Sequence, residues 1–159
     1  MDGRFPDNSK GIAVIMIGIP GSGKSTFVQQ QLSFARRINL DTLHTRAKER
    51  KLLQECIAAM DSFVVDNTNP TRADRAAYIQ AAKDAGYYVI GCYMQSSISA
   101  CINRNAGRKG KARVPNHVIA HISRLLELPN HSEGFDRLYY IQATDGSFIV
   151  KEWEDEDEL

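Results

Sequence analysis

The chain has 159 residues, of which 43% are hydrophobic and 25% are charged. This length and composition predict a single globular domain, residues 1–159, that buries its own core. Residues 12–19 form an apolar run too short to cross a bilayer, which takes about 20 apolar residues, so we expect no membrane contact. The polar N-terminus shows no signal-peptide core, and the three cysteines lack C-x-x-C spacing. We therefore expect reduced thiols, no disulfide and a cytoplasmic location.

Acidic and basic residues are distributed unevenly along the chain. Residues 151–159 carry one lysine and six acids, a net charge of −5, whereas residues 1–150 carry 19 basic and 13 acidic residues, a net charge of +6. A mildly basic body is compatible with an anionic substrate. At the two ends, we expect residues 1–10 and 154–159 to be flexible.

The first predicted elements are a buried parallel strand over residues 12–19, a glycine-rich loop and a helix. Residues 18–26 read GIPGSGKST and fit the phosphate-binding pattern G-x-x-x-x-G-K-[ST]. In such a loop the backbone N–H groups wrap the phosphates of a nucleoside triphosphate, while Lys24 faces the β- and γ-phosphates and Ser25 binds Mg²⁺. The residues of this loop predicted to bind ATP are Gly18, Pro20, Gly21, Ser22, Gly23, Lys24, Ser25 and Thr26.

Strands and helices are predicted to alternate along the rest of the chain. Further strands are predicted at residues 37–41, 62–66 and 87–94, with a strand pair at 138–143 and 148–153 around Asp145-Gly146. Helices are predicted at residues 27–34, 43–60, 71–85, 97–105 and 115–126. This alternation predicts an α/β fold with a mainly parallel central sheet.

Two aspartates end predicted strands: Asp41 ends the second strand and Asp66 ends the third. Because the C-terminal ends of parallel strands meet at one edge of the sheet, both carboxylates are predicted to lie beside the phosphate loop. Asp41 suits the acceptor of a proton from an attacking group, and Asp66 suits Mg²⁺, directly or through water. The alternative is that either aspartate caps the helix that follows it.

A basic segment that contains two glycines lies between two predicted helices. Residues 104–113, RNAGRKGKAR, hold five basic residues and no acid. This composition favours a lid that closes over phosphates, and arginine suits the charge on a phosphoryl group. The alternatives are a solvated charge run or a nonspecific nucleic-acid patch. Arg72 and Arg75, after the third strand, either reach a substrate phosphate or lie on the surface at the start of a helix.

Five segments together resemble the kinase domain of polynucleotide 5′-kinases: GIPGSGKST, INLD, VVDNTNPTRADRAAYIQAAKDAG, NRNAGRKGKARVP and EGFD. The similarity extends over roughly residues 12–141. The phosphate loop is common to many NTPases, whereas the DNTNP segment and the R-x-x-x-R lid before Val-Pro are more specific. The resemblance implies a P-loop NTPase fold of the nucleotide-kinase type, a three-layer sandwich with a mainly parallel sheet and a helical lid.

The resemblance also implies roles for individual residues. Asp41 would be the general base that takes the proton of the 5′-hydroxyl, and Arg108, with Arg104 beside it, would be the lid arginine that contacts the phosphates of ATP. Ser25 and Asp66 form the expected Mg²⁺ site. Residues expected on the acceptor side are Asp66, Thr68, Asn69, Arg72 and Arg75.

Two departures from the family pattern concern the acceptor. An acid-rich, INRDD-like segment is reduced to Asn39-Leu40-Asp41-Thr42. A basic residue just after it, suited to a nucleotide 3′-phosphate, is replaced by His44 or Thr45.

The leading hypothesis is ATP- and Mg²⁺-dependent transfer of the γ-phosphate to a 5′-hydroxyl of DNA or RNA. The first alternative is a small-molecule kinase acting on a nucleoside, sugar or antibiotic. The second is a nucleotide-binding switch or NTPase, which the absence of D-x-x-G and N-K-x-D motifs disfavours. The oligomeric state has no signature in the sequence.

Overall fold

The computed structural model describes residues 5, 8–95, 97–110 and 113–155. The strands of this part of the chain are β1 (Ile12–Ile17), β2 (Arg36–Ile38), β3 (Phe63–Val65), β4 (Tyr88–Met94), β5 (Arg137–Thr144) and β6 (Ser147–Glu152). Its α-helices are α1 (Lys24–Gln31), α2 (Leu40–Leu43), α3 (Arg46–Ala58), α4 (Arg72–Asp84), α5 (Ile98–Ala106) and α6 (Asn116–Leu125). A short 3₁₀ helix, His131–Glu133, precedes β5.

The strands form one mainly parallel sheet in the order β2-β3-β1-β4-β5-β6. Strand β1 lies between β3 and β4, with Val14 opposite both Val64 and Ile90. The last two strands are antiparallel and pair from Thr144 with Ser147 outward, around the predicted Asp145-Gly146 turn. The predicted α/β fold with a mainly parallel sheet is therefore confirmed.

The sheet is the middle of three layers. All six residues of β1 are buried, and alternate residues face opposite sides of the sheet. Ala13, Ile15 and Ile17 belong to the hydrophobic cluster that includes residues of α3 and α4. Ile12, Val14 and Met16 belong to the cluster on the other face, with residues of α1. This double burial explains why β1 reads as a continuous apolar run instead of an alternating one.

Side-chain caps divide the region that was predicted as one strand followed by one long helix. Strand β2 ends at Ile38, so Asp41 lies in α2 and not at the end of a strand. The Asn39 side chain accepts a hydrogen bond from the Thr42 N–H and begins α2. His44 then has a positive φ of 73°, and the Thr45 side chain caps α3. The spacing of apolar residues over 43–60 does not reveal these caps, because the caps depend on polar side chains.

The described ends of the chain make specific contacts. Phe5 is buried, and its ring lies 5.6 Å from that of Phe27 and 5.2 Å from that of Tyr139. Asp155 accepts hydrogen bonds from the backbone N–H and the imidazole of His131. The other residues of the ends predicted to be flexible include 1–4, 6–7 and 156–159, which lie outside the described residues, and their flexibility stays a prediction.

The described helices contain none that is long and apolar enough to span a membrane. Cys56, Cys92 and Cys101 are buried and carry free thiols.

Candidate active site

The loop between β1 and α1 has a backbone that only glycine fits well. Gly21 has a φ of +85°, and a Cβ atom there would lie 2.4 Å from the carbonyl oxygen of Cys101 in α5. Gly23, which precedes α1, has a φ of +98°. Both values fall in the left-handed region that glycine adopts readily. The loop therefore turns tightly against α5 and presents the N-terminus of α1.

The remaining loop residues hold this shape. The Gly18 N–H donates to the Thr68 carbonyl at 3.0 Å, and the Ser22 N–H donates to the Ile19 carbonyl at 3.2 Å. Ser22 is buried, Pro20 is half-buried, and Thr26 is exposed on the first turn of α1. All residues predicted to bind ATP through this loop are thus brought together at the carboxyl end of β1.

Lys24 is the first residue of α1, and only 8% of it is exposed. Its ammonium donates to the Ile19 carbonyl at 3.0 Å. Burial lowers the pKa of Lys24 to about 8, against the opposing effect of the Asp66 carboxylate. The charges of Arg108 and Asp41 also act on Lys24, the first lowering and the second raising its pKa. Lys24 is therefore a desolvated cation, and the charges of Asp41, Asp66 and Arg108 influence its pKa.

Asp66 follows β3 and joins the loop to β2. Its Oδ2 atom accepts a hydrogen bond from the Ser25 hydroxyl at 3.0 Å and another from Arg37 Nε at 2.8 Å. Arg37 Nη2 also donates to Ser25 Oγ at 3.3 Å. The residue is 1% exposed, and its Oδ1 atom has no hydrogen-bond partner among the described residues. A buried carboxylate with one spare oxygen, next to a hydroxyl, supplies the oxygen ligands that Mg²⁺ prefers, so these residues fit the predicted metal.

Asp41 lies at the same edge of the sheet, three residues beyond the end of β2. It is exposed and occupies the first turn of α2. The cap of that helix is Asn39, and α4 after Asp66 is capped by Thr71. Neither aspartate caps a helix, so the alternative reading of both residues as caps is wrong.

The DNTNP segment connects the loop to the elements around it. The Asn67 side chain accepts from the Leu40 N–H at 2.9 Å and donates to Glu49 in α3 at 2.9 Å. The Asn69 side chain is buried, with a φ of 44°, and donates to the Met16 carbonyl at 2.8 Å. Thr68 is half-buried and holds Gly18 through its carbonyl. Asn69 is therefore turned inward to β1, and its predicted contact with substrate is not supported by its position.

Arg75 also has a different environment from the one predicted. It is fully buried, and its guanidinium donates to both oxygens of Glu133 at 2.9 and 3.1 Å and to the Asn69 carbonyl at 2.9 Å. An arginine paired in this way cannot reach a substrate phosphate, so that prediction is wrong. Arg72 is exposed at the start of α4 and donates to the Leu128 carbonyl. Glu133, the first residue of the EGFD segment, therefore has a structural role, because it anchors α4 through Arg75.

The basic segment begins on α5 and continues beyond it. Arg104 Nη1 donates to the Gly21 carbonyl at 3.0 Å, which joins α5 to the phosphate loop. Arg108 is half-buried two residues after the helix ends, and its charge acts on Lys24 and on Cys101. The Asn105 side chain holds the Val114 backbone through both its N–H and its carbonyl, closing the base of the segment. Lys111 and Ala112, within the predicted lid, lie outside the described residues.

Sequence reasoning missed Arg37, which contacts both residues of the predicted metal site. It also missed Asn67 and Glu49, which support the backbone next to Asp41. The sequence offers one signal for Arg37, because a charged side chain two residues before the Asn39 cap lies near the carboxyl end of β2. The sequence offers no signal for Glu49, because its burial at the charged start of α3 becomes visible only in the fold.

Comparisons with known proteins bear on the family and the fold of the chain. The family described as AAA domain matches residues 44–129, more than half of the chain. The bifunctional polynucleotide phosphatase/kinase of Schizosaccharomyces pombe is 30% identical over 127 residues, which cover 77% of this chain and 31% of that protein. A putative bifunctional polynucleotide phosphatase/kinase of Acanthamoeba polyphaga mimivirus is 31% identical over 133 residues, 79% of this chain and 32% of that protein. The chain thus spans about a third of the length of these relatives.

A solved structure supports the fold independently. The gluconokinase from Sinorhizobium meliloti 1021 superposes with a TM-score of 0.58 at 19% identity, over 85% of this chain and 84% of the other. At that identity the likeness concerns the fold alone. Together, the relatives and this structure confirm the predicted resemblance to polynucleotide kinases and the predicted P-loop kinase fold.

Proposed function

The chain belongs to the AAA domain family, and from this premise we propose that it is a kinase that transfers the γ-phosphate of ATP to the 5′-hydroxyl of a polynucleotide. One observation carries the proposal: Ser25 at the end of the phosphate loop donates to the buried carboxylate of Asp66 at 3.0 Å, and Arg104 donates to the Gly21 carbonyl of the same loop at 3.0 Å. Asp41 follows β2 at the same edge of the sheet. Donor, metal and acceptor groups therefore share one small region. Such a region provides the positioning and the charge stabilisation that phosphoryl transfer requires.

The donor half consists of the loop and the lid. The backbone N–H groups at the N-terminus of α1, which include those of Lys24 and Ser25, bind the triphosphate, since such groups attract anions. Lys24 supplies a positive charge to the β- and γ-phosphates, and its burial makes that charge more effective than it would be in water. Arg104 on α5 and Arg108, two residues beyond it, bring further positive charge. This charge stabilises the negative charge that builds up on the transferred group.

Ser25 and Asp66 would hold Mg²⁺ through hydroxyl and carboxylate oxygens. When bound, the ion would neutralise part of the charge of the phosphates. The chain's own contribution is to keep the two oxygen ligands together, since the Ser25 hydroxyl already donates to Asp66 at 3.0 Å.

Asp41 performs the acid–base step. Its carboxylate accepts the proton of the 5′-hydroxyl as that oxygen forms its bond to the γ-phosphorus. The bond between the γ-phosphorus and the β,γ-bridging oxygen breaks, and ADP leaves with that electron pair. Asn67 helps to hold the Asp41 backbone in position, because its side chain accepts a hydrogen bond from the N–H of Leu40, the preceding residue.

Two observations favour a polynucleotide acceptor. The curated relatives described above are named as polynucleotide phosphatase/kinases, and the shared stretch includes most of this chain. Residues 1–150 also carry a net charge of +6, which suits a phosphodiester backbone. The relatives' other activity, phosphatase, is not proposed for this chain.

The test is transfer of label from γ-³²P-ATP to short 5′-hydroxyl DNA and RNA oligonucleotides in the presence of Mg²⁺. We expect labelled 5′ ends with the wild type, and none with Lys24→Ala or with oligonucleotides that already carry a 5′-phosphate. Matched reactions contain nucleosides, sugars and aminoglycosides in place of the oligonucleotide. Label on one of these instead would establish a small-molecule kinase, and phosphate release without any labelled acceptor would establish an NTPase.

A further inference from the structure

Arg37 lies where a cation is expected to bind. Its guanidinium donates through Nε to Asp66 Oδ2 at 2.8 Å and through Nη2 to Ser25 Oγ at 3.3 Å. Ser25 and Asp66 are the same two residues that would hold Mg²⁺. The guanidinium places a positive charge directly against Asp66 Oδ2 and Ser25 Oγ, so it repels a divalent cation that binds to these two residues.

The charges at this point explain why Arg37 takes this position. The Asp66 side chain is 1% exposed, and a buried carboxylate is costly unless a cation or hydrogen bonds compensate it. The Lys24 ammonium donates to the Ile19 carbonyl, and Arg37 forms the ion pair with Asp66. Arg37 thus neutralises the buried charge of Asp66.

The position of Arg37 in the fold lets it leave. Strand β2 is the edge strand of the sheet, and 42% of the Arg37 side chain is exposed. A rotation about its side-chain bonds would move the guanidinium into solvent, without any change in the backbone. By contrast, Asp66 and Lys24 are buried and fixed by neighbouring elements.

We propose that Arg37 is an internal counter-cation that occupies the metal site of the nucleotide-free protein and is displaced when Mg²⁺ binds together with a nucleotide. Metal binding is then weak until the phosphates supply further ligands, which couples the metal to the nucleotide. The proposal rests on the proposed function only in taking Ser25 and Asp66 as the metal ligands.

The direct test measures Mn²⁺ binding without nucleotide, by the loss of the free-ion signal in electron paramagnetic resonance. In Arg37→Gln the competing charge is gone, and we expect Mn²⁺ affinity to rise roughly tenfold or more, as a charge-assisted hydrogen bond to a carboxylate warrants. Arg36→Gln is the matched control: it removes the same charge from the neighbouring residue, which pairs with Asp61 at 3.4 Å instead. Its Mn²⁺ affinity should equal that of the wild type.

Unchanged or weaker Mn²⁺ binding by a folded Arg37→Gln protein, judged by circular dichroism and a cooperative melt, would overturn the proposal. Should that variant not fold, the wild type provides the answer through the ¹H–¹⁵N signal of Arg37 Nε. We expect ADP with Mg²⁺ to shift this signal towards that of a solvated guanidinium, and ADP alone to leave it unchanged. A signal that stays unchanged with Mg²⁺ present would contradict displacement.

Neither measurement includes an acceptor. Failure of 5′-hydroxyl transfer would therefore leave the role of Arg37 standing, and a failed metal test would leave the kinase proposal standing.

Discussion

At the scale of single residues, the side chain of Asp41 is exposed, and hydrogen bonds of neighbouring residues hold its backbone in place. Asn39 caps α2 and Asn67 binds the Leu40 N–H, so the helix turn does not depend on the Asp41 carboxylate as a cap. We therefore expect Asp41→Asn to fold and to bind ADP normally, but to transfer phosphate about 10²–10⁴-fold more slowly, because the general base is lost. Single-turnover kinetics and calorimetric ADP binding measure the two effects separately.

Asp145→Asn is the control for Asp41, since it makes the same chemical change in the exposed turn between β5 and β6. It should retain wild-type turnover. Near-normal turnover of Asp41→Asn would remove this residue from the mechanism.

Arg108 acts from the other side of the phosphate loop. It is half-buried, and its charge lowers the pKa of Lys24, the lysine of the phosphate loop. If it stabilises charge mainly in the transition state, Arg108→Ala should reduce kcat about 10²-fold with only a modest loss of ATP affinity. The adjacent exposed Lys109→Ala should change neither quantity appreciably. Equal losses in binding and rate for Arg108→Ala would instead identify a ground-state clamp.

At the scale of elements, the buried pair Arg75–Glu133 holds α4 against the segment that leads into β5. The Arg75 side chain is fully buried and that of Glu133 is 8% exposed. Removing Arg75 leaves the Glu133 carboxylate with only the Asn130 N–H and the more distant Arg72, at 4.0 Å, to compensate its charge. We expect Arg75→Met to lower the free energy of unfolding by about 3–5 kcal/mol, measured by urea denaturation. The double variant Arg75→Met/Glu133→Gln should recover part of this loss. A single variant within about 1 kcal/mol of the wild type would show that the pair is not needed for stability.

The elements also show which features of the fold can be predicted from sequence. Strand β1 and helix α4 were predicted to within a residue or two, because an apolar β-branched run and a helix closed by Gly86 are strong local signals. The break between α2 and α3 was missed, since Asn39 and Thr45 act through side-chain hydrogen bonds that hydrophobic spacing does not reveal.

For the site, the loop and the sheet edge followed from motif and topology alone. Parallel strands bring their carboxyl ends together whatever their side chains, so the neighbourhood of Asp41, Asp66 and Lys24 could be predicted. The partners of Arg75 and Arg37 could not. Glu133 lies 58 residues from Arg75, and Asp66 lies 29 residues from Arg37, and such pairings arise only when the chain folds.

At the scale of the whole molecule, the uneven charge predicts how the proposed acceptor strand would be attracted. The net charge of +6 over residues 1–150 favours a polyanion, while the net charge of −5 over residues 151–159 opposes it. A phosphodiester chain that contacts several basic side chains releases one set of counterions for each contact, whereas a mononucleotide releases few. Salt dependence therefore distinguishes an acceptor strand from a single nucleotide without any assay of transfer.

We expect the affinity for a 5′-hydroxyl single strand to fall with salt at a slope of about −2 or steeper on logarithmic axes, because each neutralised phosphate contributes about 0.7. The measurement is fluorescence anisotropy of a 3′-labelled oligonucleotide titrated with the Lys24→Ala protein, which cannot phosphorylate it. A 3′-labelled dinucleotide under the same conditions is the matched comparison and should give a slope near −0.7. Equal slopes for both ligands would mean that the protein contacts one phosphate only, and the acceptor would then be a nucleotide and not a polynucleotide.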